Sequence, residues 1–399
     1  METKDYKSYI FILVLSALFL FVGNFIATRG LEDSGQDDFA SSFMQARVVE
    51  IIETREIVTQ ISPDFSLTDV SVEFVARITT RGDNRGDIVT ATHLQRGQAL
   101  VQERQVEVGD RVILFYDTFG DVYFLATHVR IHYVAILSGV FFLLILVFGR
   151  RQGVSSIIAL MSIILAVLFV FIPAVLNGRN IYIATFVICL YAILTTLLVV
   201  VGPTKKALAS VLGCLGGVLF ASIIMTIMNA VMGLTGYLDT ESTHLLLLDN
   251  PVNLRAIIFA GVIIGAVGSI IDIAITISSS IWEVKSCGRN HSFKSLMSAG
   301  LNVGRDLMGA QINTLIMAYV GSSLTFILLT VAHSTSLMIL FNAEIVLVEL
   351  LRAIVGSMGM LLVIPLTAMF SGWIFNMPSN DIDDIMCAYE SEDEGKPES

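Results

Sequence analysis

Apolar runs, each long enough to cross a bilayer, alternate with short polar connections along most of this chain. They extend from Tyr9 to Ala27, Tyr133 to Phe148, Ser155 to Leu176, Ile181 to Val201, Leu208 to Leu234, Leu254 to Ile281, Leu307 to Val331 and Ala343 to Phe375. About 20 apolar residues in a helix cover the ~30 Å of hydrocarbon, so the pattern predicts eight membrane-spanning helices. The last three runs exceed a straight crossing, which predicts tilt, interfacial extension or a break. Pro173 and Pro365 fall inside runs and predict kinks.

Between the first and second runs the period changes. Gln45 to Ile52, Val72 to Ile78, Asp87 to Thr92, Val112 to Tyr116 and Val122 to Thr127 are short, rich in β-branched residues and partly alternating. Such segments predict strands. Gly, Asp and Asn separate them, as in Arg81 to Asp87 and in Val108-Gly109-Asp110, where tight turns need positive φ. The Arg-Gly-Asp triplet in the first of these is explained by hairpin chemistry. Five strands in this length predict a small, OB-like barrel.

Composition agrees with the spans. Of the 399 residues 55% are hydrophobic and 15% charged, with mean hydropathy +0.77. Soluble domains carry about 25% charge. Net charge is −11, much of the acid following Arg29 and Met377, and no basic patch offers itself to nucleic acid. Four cysteines without a CxxC spacing predict neither a disulfide framework nor a zinc site. Lys4 and Lys7 precede a first run too long for a signal peptide, so an uncleaved anchor is expected. One set of loops holds Lys4, Lys7, Arg150, Arg151, Lys205, Lys206, Lys285, Arg289 and Lys294, which puts both termini in the cytoplasm and the β segment outside. The basic connection from Trp282 to Val303 carries Phe293, Leu296, Met297, Leu301 and Val303, which suit a membrane surface. The expected organisation is an anchor (1–30), an extracytoplasmic β domain (31–132), a seven-helix bundle (133–376) and a solvated acidic tail (377–399).

Charged side chains inside apolar runs are the candidate chemistry. An ionised group at a bilayer centre costs on the order of 3 kcal/mol, so it normally faces a bundle interior or a wet cavity. Gly261, Gly265, Gly268, Asp272, Thr276 and Ser279 share one helical face, and the small residues predict close packing against protein. Arg305 and Asp306 open the next run, where Asp306 suits the first-turn dipole, and Gln311, Asn313 and Thr314 need partners within the membrane. In the last run Glu344 stands near the outer side, while Glu349 and Arg352 are three residues apart and able to neutralise each other. Carboxylates exceed cations here, as a proton or cation path requires; the same groups would also serve as structural ties between helices. No Walker loop, HExxH, GxSxG or suitably placed GxGxxG occurs, so no enzyme mechanism and no cofactor follow.

Three blocks then carry a resemblance: Gly265 to Ser280, Gly304-Arg305-Asp306-Leu307-Met308-Gly309 with Asn313 to Tyr319, and Asn342 to Arg352. They resemble the YibE/F-like family of bacterial multi-pass membrane proteins, with Gln311 departing from the family's small or hydroxyl residue. The resemblance implies a many-span protein with a small outside domain in a bacterial plasma membrane, and no settled substrate.

Two functions fit. One is a secondary transporter for an ion or small solute, with Asp272, Glu344 and Glu349 as ion or proton ligands, Arg352 as counter-ion, and Arg305 with Asp306 as an inner gate. The other is a scaffold or receptor whose β domain binds a partner. The bilayer, an ion or small solute, a second copy of the chain and another membrane protein are the partners in view.

Overall fold

A computed structural model describes residues 3–29, 43–62, 65–80, 85–95, 104–117, 120, 122–238, 242, 245–247, 250–286, 292–333 and 337–376. The chain forms two compact units: Met1–Gly30 with Ile145–Ser399, and Leu31–Leu144. The acidic tail, most of the Arg81 to Asp87 turn and Cys287 fall outside the described residues.

In the second unit, β1 (Phe43–Ser62), β2 (Phe65–Ile78), β3 (Ile88–Gln95), β4 (Arg111–Asp117) and β5 (Val122–His128) close a barrel in the order β1-β2-β3-β5-β4. Each expected strand overlaps one of these, the third starting at Ile88 rather than Asp87, and β1, β2 and β3 run longer. β1 pairs antiparallel with β2 along its length and with β4 through Phe43 to Arg47; bulges at Val48/Glu50 and Ile51/Glu53 let it curl between them. A short parallel ladder, Ala91 with Tyr123 and Thr92 with Phe124, closes the barrel. This closure makes the barrel OB-like. Along β2 the period-two pattern is clean, with Val70, Val72, Phe74, Ala76 and Ile78 all buried. Phe74, Val112 and Leu114 fill the centre. Gly86 and Gly109 adopt φ of 99° and 97°, the backbone that the turn chemistry demands.

The other architecture is helical. α1 (Thr3–Thr28), α2 (Ile131–Arg150), α3 (Gln152–Leu176), α4 (Ile181–Val201), α5 (Lys205–Met232) and α6 (Leu254–Ser286) precede α7 (Phe293–Ser322), α8 (Leu324–His333), α9 (Leu337–Asn342) and α10 (Glu344–Phe375). Among the described residues seven helices, α1 to α6 and α10, are long and apolar enough to cross a membrane. The expected crossing from Leu307 to Val331 is not one apolar helix. It is shared between α7 and α8, and the chain leaves helical geometry at Ser323 (φ −98°, ψ 5°). Ser322 Oγ donates to the Tyr319 carbonyl at 2.8 Å, competing with the helix ladder at that turn. α7 also begins upstream, at Phe293. Leu296 is therefore wholly buried, with Met297 and Leu301 packed on the bundle core rather than along a surface.

Pro365 stands inside α10 without ending it, and a π-helical turn, Val167–Phe171, immediately precedes the Pro173 segment of α3. Asn177 Nδ2 donates to the Ala27 and Arg29 carbonyls, and Arg179 to that of Ile26, satisfying acceptors that the end of α1 leaves unpaired. Ser16 and Tyr191 join α1 to α4 at 2.6 Å, beside a Phe19–Tyr191 stack.

α5, α6, α7 and α10 enclose the main core. α5 and α10 approach closely through Gly217 and Gly359: a Cβ on Gly217 would stand 2.1 Å from Val363 Cγ2. Ser210 ties α5 to α6 through Ser278 Oγ at 2.7 Å and the Ala274 carbonyl at 3.2 Å.

Candidate functional site

Antiparallel packing of α7 between α6 and α10 sets the geometry. Gly300 abuts Ile281 and Ala368, Gly304 abuts Ile277 and Ile364, Leu315 reaches Gly356, and Tyr319 reaches Gly265. One end of this sandwich carries the polar groups. Arg352 Nη1 donates to Glu349 Oε1 at 2.7 Å, the i,i+3 pair that the spacing predicts, with side chains 28% and 19% exposed. Arg352 Nη2 lies 3.5 Å from where a Cβ on Gly261 would be, and Tyr319 Oη 2.6 Å from one on Gly265. The glycines of α6 therefore admit a guanidinium and a phenol.

Glu349 Oε2, Arg352 Nε and Tyr319 Oη are shielded from solvent yet have no hydrogen-bond partner among the described residues. Such groups are expensive to leave unmet in an apolar setting. Glu349, Tyr319 and Ser323, at the break between α7 and α8, border a cavity of about 80 Å³. One water needs ~10–15 Å³ of such space, so the cavity has the volume for several waters, while its wall is almost wholly apolar. A charged pair, a hydroxyl and unused hydrogen-bonding capacity thus meet at an interrupted helix.

The other expected residues go elsewhere. Glu344 does not join Glu349. Its Oε1 accepts from the Thr235 and Gly236 amides at 2.7 and 2.6 Å, and its Oε2 from Thr235 Oγ1 at 2.7 Å. Its carboxylate ties the end of α10 to the loop after α5, apart from the Glu349–Arg352 pair. Gly236 (φ 84°) has Leu254 against it, leaving no room for a side chain. The Gly261–Ser279 stripe is packed only in part: Gly268 meets nothing, and Asp272 and Thr276 are exposed. The expectation that this face delivers Asp272 into the bundle fails, because α7 and α10 cover only its Gly261–Gly265 end. Thr276 Oγ1 is engaged by the Asp272 carbonyl, and Ser279 is half-buried. Arg305, Asp306, Asn313 and Thr314 line an exposed face of α7, Arg305 donating to Asn302 Oδ1 at 3.3 Å and Thr314 to the Ala310 carbonyl.

Tyr319 is the residue that sequence reasoning passed over. A Tyr within an apolar run, whose hydroxyl must find a polar neighbour, was the available signal. The largest cavity among those described, about 1000 Å³ between α1, α3 and α4, is lined almost wholly by apolar side chains. Its Arg179 serves the Ile26 carbonyl.

Long apolar helices around a polar cluster, with a separate small barrel, define a multi-pass helical protein of the membrane type. The chain belongs to the YibE/F-like protein family, whose pattern matches residues 137–377. No curated protein matches it, and no solved structure does.

Proposed function

We propose that this protein is a secondary transporter of an ion or small solute in a bacterial plasma membrane. Glu349, Arg352 and Tyr319 form its polar site. The observation that carries the reading is the set of three buried, unmatched polar atoms, two of them on residues that border a cavity at a helix break. Discontinuous helices supply polar backbone to a transported species, and the chain is interrupted between α7 and α8 beside these residues. Glu349 Oε2 takes the cation or proton, and Arg352 balances the charge of the empty site. Tyr319 Oη completes the ligand set. Arg305 and Asp306, on the stretch of α7 beside Ile277 of α6, are the inner gate.

Orientation has support at the end of α6 that carries Lys285. Lys206 and Lys285 lie 5.3 and 5.9 Å from the Trp282 ring, and Lys285 donates to the Phe375 carbonyl. A basic cluster with an aromatic belongs at the cytoplasmic interface, which leaves the barrel outside.

The test is ion and proton flux into liposomes holding purified protein, wild type beside Glu349→Gln and Tyr319→Phe. Loss of flux in monodisperse variants supports the path. Unchanged flux in Glu349→Gln overturns it. An inert wild type across a full ion and solute panel moves the reading to a scaffold or receptor acting through the barrel.

A further inference from the structure

The cavity of about 1000 Å³ between α1, α3 and α4 is apolar along its length and polar at one end. α1 and α4 run antiparallel beside it. Ile12 and Val199 share an apolar cluster at one end, Ser16 meets Tyr191 midway, and the Ile26 carbonyl meets Arg179 at the other end. From Ile12 to Ala27 the lining extends about 22 Å at ~1.5 Å per residue of helix. That exceeds one leaflet, which takes half of the ~30 Å hydrocarbon core. Leu15, Leu18, Val22, Ile183 and Val187 line the cavity and are exposed, so it is a groove open along its side. At mid-depth the Ser16 and Tyr191 hydroxyls engage each other at 2.6 Å, which leaves the wall suited to hydrocarbon.

The polar end carries cations. Arg179 is exposed and donates one of its five N–H groups to the Ile26 carbonyl at 2.9 Å. Arg29 lies over the Phe25 ring, and its carbonyl accepts from Asn177, two residues before Arg179. Among the described residues neither guanidinium has an acidic partner. α4 starts at the same rim, capped by Asn180, and adds the positive pole of its dipole. Residues 177–180 join two spans, which puts this rim at headgroup depth.

We propose that this groove holds one acyl chain of an anionic phospholipid, whose phosphate sits against Arg179 and Arg29. Charge complementarity selects the occupant. A guanidinium matches phosphate with two parallel hydrogen bonds, and an apolar helix laid in the groove would leave both cations unmatched. A lipid with a cationic headgroup brings its own positive charge to the rim and fits less well. The proposal rests on the membrane-spanning part of the reading above and not on transport, so lipid retention and flux fail separately.

Native mass spectrometry of the full chain, delipidated in detergent, tests it. Phosphatidylglycerol and phosphatidylcholine with identical chains are the probes. The wild type should retain one phosphatidylglycerol and bind phosphatidylcholine about tenfold more weakly, the effect of one hydrogen bond to a charged group. Val187→Trp, which fills the groove from an exposed position, should lose both lipids. Ile223→Trp, at an exposed apolar position on α5, should lose neither. Arg179→Gln keeps a donor for the Ile26 carbonyl and should bind the two lipids alike, while Arg179→Lys should restore the preference. That restoration separates a lost headgroup contact from a failure to fold. Equal retention of both lipids by the wild type, unmoved by Val187→Trp, overturns the proposal in favour of lipid bound without a site. A wild type that retains no lipid also overturns it and leaves the groove to an apolar protein segment.

Discussion

Removing the Glu344 carboxylate should loosen the protein while leaving the polar site in place. The side chain accepts three hydrogen bonds, two from backbone amides and one from Thr235 Oγ1, all at 2.6 to 2.7 Å. In Glu344→Ala the Gly236 amide, which is buried, loses its acceptor, a loss worth about 1–3 kcal/mol. The two bonds from Thr235 are exposed, and water replaces them at about 0.5–1 kcal/mol each. The sum is about 2–5 kcal/mol. Glu344→Gln keeps an oxygen for both amides but replaces the acceptor of Thr235 Oγ1 by a donor, so it loses that bond and the charge assistance, about 1–2 kcal/mol. Apparent melting of the purified protein in detergent should therefore fall in the order wild type, Gln, Ala. At about 2–4 °C per kcal/mol the Ala variant should drop on the order of 10 °C. Flux per folded molecule should be unchanged in Glu344→Gln. If that variant melts like wild type but has lost flux, Glu344 is a ligand and the structural assignment is wrong.

Further substitutions probe separate parts of the molecule. Gly217→Leu should disrupt the α5–α10 contact by about 1–3 kcal/mol or more and lower the monodisperse yield, while Val363→Ala in the same chain should recover part of it, as read by size-exclusion chromatography. Gly217→Leu behaving as wild type would contradict the close approach. Phe74→Ala should destabilise the barrel by about 3–5 kcal/mol and bring protease cleavage into residues 43–128, with the melting of the helical bundle unmoved. Ser210→Ala should cost about 1 kcal/mol through the lost bond to Ser278, and a drop far above that would show the α5–α6 seam to be more than one hydrogen bond.

Local signals were legible because they need no knowledge of distant residues. Apolar runs of sufficient length announced α1 to α6 and α10, since length against bilayer thickness is read from the run itself. Alternation along β2 and the glycines at 86 and 109 placed the barrel's strands and two of its turns, because side-chain period and positive φ are properties of a few consecutive residues. The Glu349–Arg352 pair was equally visible, being one helical turn apart.

Tertiary structure decided the rest. Periodicity shows that Gly261, Gly265, Gly268 and Asp272 share a face, but only packing determines that Tyr319 and Arg352 cover its first half and leave Asp272 open. Glu344 looked like Glu349 in the chain; its separation from the site comes from a loop 109 residues away whose amides consume its carboxylate. The break at Ser323 likewise acquires meaning only beside Glu349, which a different helix brings there. A sequence states which groups a helix carries, and the fold states which of them meet.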